Sequence, residues 1–177
     1  MTETALINKL TAGLSTDETV IAGPGDDCAV LEIEGHKLLF KTDAIVEGVH
    51  FDSATSPEQI GHKALARPLS DIAAMGGTPS HALITLGINT SIKEDYIEAV
   101  YTGLKNCAAQ YGVNIVGGET TTLPKFTLSV SLLGKVKNPI MRSGSKIGDA
   151  IFVSGELGGS IAEHHLNFIP RIAESQW

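Results

Sequence analysis

Five acidic residues stand where predicted strands or helices meet turns, and this placement is typical of a site for a hard cation. They are Asp26, Asp27, Asp43, Asp71 and Glu119. The end of a strand or helix holds a side chain more firmly than a loop does, and Mg²⁺ prefers carboxylate oxygens together with water and substrate phosphates. Each acid taken alone also fits the plainer role of capping a turn. The set indicates a candidate cation site, while spacing alone leaves open whether the five side chains converge.

The amino-terminal part of the sequence predicts a helix and then the hairpin that would carry Asp43. Apolar residues at helical spacing after Thr2 predict a short helix. Residues 28–33 and 37–46 alternate as strands on either side of the turn formed by Glu34 and Gly35. The pattern therefore predicts a hairpin whose second strand carries Asp43.

A helix is predicted to follow at Ser56, because this residue, Pro57 and Gln59 form an N-cap, a first-turn proline and a capping box. Pro68 is expected to kink or restart this helix just before Asp71. The small, packable residues 72–76 follow directly. Asp71 therefore lies among side chains that favour a packed environment rather than a solvated helix face.

The rest of the chain continues to alternate between strands and helices. Residues 82–88 predict a buried strand, Ser91–Glu94 a second capping box, and the apolar stripe up to Gly112 a long helix. Residues 126–136 alternate as another strand. After a linker at 138–148, residues 150–154 predict a strand that opens a second unit. The sequence thus predicts a mixed α/β (α+β) fold with a domain at 1–137, then a linker and the truncated start of another domain at 138–177.

Composition and charge narrow the classes of function. A formal net charge of −7 and a pI near 5.3 argue against a nucleic-acid surface. No apolar run is long enough for a membrane span and the first residues do not resemble a signal peptide, so a cytoplasmic protein is expected. Cys28 and Cys107 have no zinc or disulfide spacing and are interpreted as packed core residues.

Longer motifs surround the acidic residues and resemble those of a known family. They are Gly25–Val30, Lys41–Asp43, Glu47–Phe51, Leu69–Gly76, Gly117–Thr121, Arg142–Gly144 and Gly148–Gly155. In this order they resemble the amino-terminal half of thiamine-monophosphate kinases, over nearly the whole chain. The wider superfamily contains aminoimidazole ribonucleotide synthetase, selenophosphate synthetase and a hydrogenase-maturation protein.

The resemblance implies a reaction and a role for individual residues. The reaction is magnesium-assisted transfer of the γ-phosphate of ATP directly to thiamine monophosphate, giving thiamine diphosphate and ADP. Positioning of phosphates and neutralisation of charge suffice for such a transfer. The implied metal ligands are Asp27, Thr42, Asp43, Asp71 and Glu119, with Asp43 and Asp71 catalytic. The implied substrate contact is His50, and the implied ATP contacts are Tyr101, Gly118, Glu119 and Arg142.

The resemblance also implies an architecture. Helices would cover one face of a mixed sheet, as in the amino-terminal domain of aminoimidazole ribonucleotide synthetase, and two copies would pair into a β-barrel-like homodimer with nucleotide beside the interface. Two residues depart from the family pattern: Glu119 replaces the usual aspartate, and Lys41 stands where serine is common. Contact with phosphate and exposure to solvent are both open for Lys41, and Tyr101 fits core packing as well as adenine.

Two other functions fit the sequence. One is another ATP-using enzyme of the superfamily, of the hydrogenase-maturation or selenophosphate-synthesis type. The other is a noncatalytic dimeric module that binds nucleotide. The family's carboxy-terminal half is not part of the sequence, which favours a fragment over a naturally short protein. Weak or no kinase turnover is expected from this chain alone.

Overall fold

The computed structural model of the chain describes residues 1–159 and 165–176. Six strands and three α-helices account for its regular structure, and a short 3-10 helix, Glu174–Gln176, follows them. The strands are β1 Val20–Ala22, β2 Ala29–Ile33, β3 His36–Val46, β4 Thr78–Ile88, β5 Asn114–Thr122 and β6 Thr127–Lys135, and the helices are α1 Glu3–Thr11, α2 Pro57–Ala74 and α3 Glu94–Tyr111. Residues 160–164 and 177 of the predicted second unit lie outside the described residues.

All six strands form one mixed sheet in the order β1-β2-β3-β6-β4-β5. Within this sheet β4 and β5 pair in parallel, and α3 makes the crossover between these two strands. Register places Asp43 of β3 opposite Val130, Val130 opposite Ile84, and Ile84 opposite Gly118 of β5. Asp43 and Gly118 therefore share one row of the sheet but lie three strand spacings apart, about 14 Å.

Helices α2 and α3 lie against each other on one face of the sheet, as the resemblance implied. They approach so closely that their backbones touch: a Cβ on Gly61 would lie 1.9 Å from the carbonyl oxygen of Val100, and one on Gly103 would lie 2.0 Å from that of Glu58. Inward residues of β3, β4 and β6 pack under both helices in a single core. The fold class and the helical layer are therefore confirmed.

Local signals place most element ends correctly. The hairpin of β2 and β3 turns at Glu34 and Gly35, both with positive φ (51° and 77°). The capping box of α2 is present in both directions between Ser56 and Gln59. Helix α3 ends at Gly112, whose φ of 67° is the left-handed conformation that glycine adopts without strain.

Two helix predictions are wrong in detail. Ser91 does not cap α3, because its backbone N–H and its hydroxyl both donate to the Asn89 side chain, and the helix begins three residues later with Lys93 as an N-cap that makes no side-chain bond. Helix α2 runs through Pro68 without a restart, whereas a kink at this residue stays a prediction. Proline removes one backbone hydrogen bond, but Pro68 is buried in the core-facing side of a continuous helix, and this packing offsets the loss.

One predicted strand is absent, and two observed strands, β1 and β5, were not predicted. Residues 150–154 have no regular structure, and the apolar side chains Ile151 and Phe152 are exposed, because no described strand lies beside them to pair with their backbone. Strand β1 was not predicted. It has only three residues and gains its order from pairing with β2, which a local pattern cannot reveal.

Candidate active site

The candidate site lies between β3 and α2, at the point where charged residues interrupt two otherwise buried surfaces. Along β3, Lys41 and Asp43 point to the same face as the buried Leu39 and Ile45. On α2, charged residues recur at intervals of four, which keeps them on one helix face toward β3. They are Lys63, Arg67 and Asp71.

Asp71 of α2 forms an ion pair with Lys41 of β3. Its Oδ2 atom lies 2.6 Å from the Nζ atom of Lys41, and both side chains are about three-quarters buried. Burial raises the pKa of Asp71; Lys41 opposes this effect, and the negative charges of Asp43 and Asp27 reinforce it. Burial works against the charge on Lys41, but the hydrogen bond and charge of Asp71, with Asp43 adding, raise its pKa nonetheless. Lys41 thus points neither to solvent nor away from the acids.

Asp43 faces a second cation. Arg67 places a guanidinium nitrogen 3.7 Å from Oδ1 of Asp43, and its other terminal nitrogen donates to the backbone oxygen of Ala44 at 3.0 Å. This pair is looser than the pair of Lys41 with Asp71. Asp43 is therefore held near Asp71 without being fully neutralised by Arg67.

The loop before β2 supplies the third carboxylate. Asp27 pairs through Oδ1 with the guanidinium of Arg142, while Asp26 accepts from the backbone N–H groups of Asp27 and Arg142. The hydrogen bond and charge of Asp27, with Asp26 and Asp71 adding, raise the pKa of Arg142. Residues 116 positions apart in sequence are thereby joined at the same cluster.

His50 lies on the loop after β3, close to the cationic end of the helix stripe. Its Nδ1 accepts a hydrogen bond from the backbone N–H of Val46 at 3.0 Å, so the neutral ring carries its proton on Nε2. Burial, Arg67 and Lys63 lower the pKa of His50. Lys63 donates to the His50 carbonyl oxygen and contacts Nδ1 of His165 at 2.8 Å. His50 is thus a neutral donor in a positively charged setting, which suits contact with a phosphate oxygen.

The other predicted site residues do not join this cluster. The Thr42 hydroxyl lies on the opposite face of the sheet, 3.5 and 3.4 Å from the hydroxyls of Ser129 and Ser131. Gly118 and Glu119 are exposed on β5, at the far edge of the sheet. Tyr101 is half-buried on α3 and packs against the core, and burial raises its pKa.

The donor set fits a magnesium ion that is shared with a substrate rather than caged by the protein. Within residues 1–159 and 165–176, no group of three or more His, Cys, Asp or Glu side chains is arranged to hold a metal ion unaided. Mg²⁺ typically takes one or two carboxylates and completes its shell with water and phosphate oxygens. The charges of Asp27 and Asp43 both act on Asp71, so these carboxylates lie near enough for one or two of them to share an ion with phosphate oxygens.

Sequence reasoning missed two cations of the site, Arg67 and Lys63. Their spacing from Asp71 by four and eight residues was the available signal, because it puts all three on one face of a predicted helix. Arg142 was named as a site residue because of its motif. Its contact with Asp27 was not predictable from the sequence, because the two residues meet only in the folded chain.

Both cysteines are packed in the core, as interpreted from their spacing. Cys28 is 2% exposed and Cys107 is 1% exposed. Burial, with Asp71 adding at Cys28, raises the pKa of each thiol to about 12. None of the described helices combines the length and apolar composition needed to cross a bilayer.

Known proteins resemble this chain over most of its length. The thiamine-monophosphate kinase of Aquifex aeolicus (strain VF5) is 41% identical over 78% of this chain and 45% of its own length. That of Rhodopirellula baltica (strain DSM 10527 / NCIMB 13988 / SH1) is 40% identical over 86% of this chain and 52% of its own. The chain thus spans about half the length of the curated relatives it matches.

A solved structure has the same fold. The structure described as AaThiL complexed with AMPPCP and TMP matches with a TM-score of 0.90 and 32% identity, covering 98% of this chain and 61% of that one. The family described as AIR synthase related protein, N-terminal domain, matches residues 25–136. These residues run from the Asp26–Asp27 loop to the end of β6, so they include the sheet from β2 onward, α2, α3 and the carboxylate cluster. The chain belongs to the AIR synthase related protein, N-terminal domain, family.

Proposed function

We propose that this chain is the amino-terminal, ATP-binding part of a thiamine-monophosphate kinase. The observation that carries the proposal is the convergence of Asp27, Asp43 and Asp71, from three separate segments, on one region beside the neutral donor His50. The names of the relatives at about 40% identity support the choice of substrate. The similar solved structure is a complex with AMPPCP and TMP, which supports the pairing of a nucleotide with a second phosphorylated ligand.

We assign contact with phosphate oxygens to the cationic and hydrogen-bond donor residues of the site. Arg142 and Arg67 carry guanidinium groups that pair with carboxylates here and have the planar geometry that phosphate oxygens accept. His50 donates from Nε2 to the phosphate of thiamine monophosphate. Direct transfer between two phosphates needs aligned oxygens and compensated charge more than a protein nucleophile. The chain therefore acts mainly by positioning.

Magnesium is the cation this donor set suits. Asp27, Asp43 and Asp71 would hold it together with phosphate oxygens, and the bound ion would neutralise charge that develops on the transferred group. The side chain of Thr42 faces the other side of the sheet, so we assign no metal contact to its hydroxyl. Glu119 lies on β5, three strand spacings or about 14 Å from the strand that carries Asp43, which favours a separate role at the nucleotide end of the site.

We infer that a second copy of the chain covers the outer face of the sheet. Phe40 is 45% exposed and Leu83 is 49% exposed on this face, whereas the opposite face is covered by helices. Large apolar side chains on two strands of an otherwise ordered sheet favour an interface. Such a homodimer would bring residues of the second copy toward Gly118 and Glu119 on β5. The proposed contact of Tyr101 with ATP does not depend on this homodimer.

We further infer that residues 1–137 form the ATP-binding domain and that residues 138–177 are a linker and the first part of another domain. The family match ends at residue 136, and the last strand ends at Lys135. Arg142 belongs to the linker in this division, yet it contacts Asp27. The linker would thereby contribute to the site.

The experiment that tests the function measures ADP formation with ATP and Mg²⁺, in the presence and absence of thiamine monophosphate. Two proteins are compared: the 177-residue chain, and the same chain fused to the second half of the Aquifex aeolicus relative. We expect ADP formation that depends on thiamine monophosphate in the fusion and little turnover by the chain alone. ADP formation that ignores thiamine monophosphate, or that requires a different acceptor, would refute the substrate.

A His50→Gln variant of the fusion tests the proposed role of His50. Glutamine keeps a hydrogen-bond donor near the position of the ring but loses the contact of Nδ1 with Val46. We expect KM for thiamine monophosphate to rise while KM for ATP changes little. A parallel rise in both values would assign His50 to the general shape of the site rather than to the substrate.

A further inference from the structure

Lys41 occupies a position among the acids that the proposed reaction leaves without a role. It lies two residues before Asp43 on the same face of β3, and its stem packs between the sheet and α2. The Nζ atom is 2.6 Å from Oδ2 of Asp71. This is the shortest distance between a lysine and a carboxylate among the described residues, and both side chains are about three-quarters buried.

An ammonium group at this distance does what a metal ion would otherwise do for Asp71. It neutralises the carboxylate and occupies one of its oxygen atoms. A divalent ion bound to the same oxygen would have to displace the ammonium or bind beside it against a like charge. The two cations therefore compete for Asp71.

We propose that Lys41 is a built-in counter-cation for Asp71, which keeps the carboxylate cluster together without metal and weakens its binding of free divalent ions. The inference rests on the proposed function only for the kind of cation, a hard divalent metal. It makes Lys41 a positioning residue: it acts on metal through Asp71 and touches neither reactant.

The surrounding charges explain why such a residue is useful. Asp27 has Arg142 as its partner and Asp43 has Arg67, but both partners are exposed or loosely placed. Without Lys41, four carboxylates, Asp26 among them, would share one region with only these two cations. Metal arriving with nucleotide phosphates brings extra ligands and can displace the lysine, whereas free metal has no such help. The device favours loading of metal together with nucleotide.

The test measures binding of Mn²⁺ alone, by electron paramagnetic resonance of the free ion, to the wild-type chain and its variants. Lys41→Ser and Lys41→Met remove the charge, and Lys41→Met retains most of the stem. We expect both to bind Mn²⁺ at least about fivefold more tightly than wild type, because a like charge near the site is removed. Lys41→Arg keeps the charge and is expected to bind as wild type does.

A double-mutant cycle shows whether the effect passes through Asp71. The gain from Lys41→Ser is expected to shrink when Asp71→Asn is already present. An equal gain in both backgrounds would overturn the proposal, as would unchanged Mn²⁺ affinity in Lys41→Ser and Lys41→Met. Failure of all variants to bind Mn²⁺ would overturn it too. The titration uses neither ATP nor thiamine monophosphate, so a negative kinase assay leaves its result intact and a failed titration leaves the choice of substrate untouched.

Discussion

The unit of β3 and α2 differs from the unit of α3 and β5 in how it presents its predicted site residues. In the first, Asp43 and Asp71 are largely buried and each faces a cation from the neighbouring element. In the second, Gly118 and Glu119 are exposed along an edge strand. The carboxylate cluster is thus organised within a single chain, whereas under our proposal nucleotide, a second copy or both would complete the surroundings of Gly118 and Glu119.

The two units also differ in how their helices begin. Helix α2 has a complete capping box and a first-turn proline, and it buries residues over most of its length. Helix α3 begins at Glu94, and its N-cap residue, Lys93, makes no side-chain hydrogen bond. Both its cap and its packing therefore anchor α2, the helix that carries Asp71.

The largest expected effect comes from Asp71→Asn. This change removes a proposed metal ligand, so we expect binding of the Mn²⁺ complex of AMPPCP to weaken by roughly 100-fold, the upper range for changes around a metal site. Isothermal titration calorimetry measures it. Glu119→Gln, in the other unit, should weaken binding clearly less. If the two changes had equal effects, the contrast between the units would be wrong.

The next effect concerns the stability of β5. A Cβ on Gly118 would lie 1.8 Å from the carbonyl oxygen of Ile84, so Gly118→Ala is expected to lower the free energy of unfolding by about 1–3 kcal/mol. Gly117→Ala is the matched control, because its Cβ would meet nothing closer than Leu83 at 3.6 Å. Urea denaturation of both variants checks this. A smaller loss for Gly118→Ala than for its neighbour would contradict the close pairing of β4 and β5.

A smaller effect separates the two helix starts. Ser56→Ala breaks the capping box of α2 and is expected to cost about 1 kcal/mol in the free energy of unfolding. Ser91→Ala, at the motif that suggested a cap for α3, should change that free energy by less than about 0.5 kcal/mol. Thermal unfolding of the two variants side by side compares the losses in stability. Equal losses would contradict the difference between the two helix starts.

No difference between the two units is expected in the reactivity of their cysteines. Cys28 lies beside Asp71 and Cys107 lies in α3, and burial raises the pKa of both thiols to about 12. At about pH 8, well below this pKa, both thiols are protonated and buried. Neither cysteine of the folded chain should therefore react with a thiol reagent within minutes. Two equivalents should react after unfolding, one for each cysteine. Rapid reaction of Cys28 alone would mean that the carboxylate unit opens locally.

Local sequence signals predicted most of the fold. The turn at Glu34 and Gly35, the box at Ser56 and the stop at Gly112 each depend on residues close by in sequence, and each is where it was predicted. Strands β1 and β5, which were not predicted, and the missing cap of α3 depend on partners outside the motif. These are the elements that a local pattern misplaced or missed.

The candidate site was predictable as a set of acids but not as an arrangement. Alternation along β3 put Asp43 on the same face as Lys41 and Thr42 on the other, a consequence of strand geometry that the motif alone does not state. The strand order sets the separation of Asp43 from Glu119, and only the fold provides it. The contacts of Arg142 with Asp27 and of Lys41 with Asp71 bridge segments far apart in sequence for the same reason.

The most direct measurement of the central claim is anomalous diffraction from crystals grown with Mn²⁺ and AMPPCP. We expect at least one manganese peak that contacts a phosphate oxygen of the nucleotide and two of the carboxylates Asp27, Asp43 and Asp71, with Lys41 moved away from Asp71. Manganese bound only elsewhere, with all three carboxylates still paired to Lys41, Arg67 and Arg142, would contradict it.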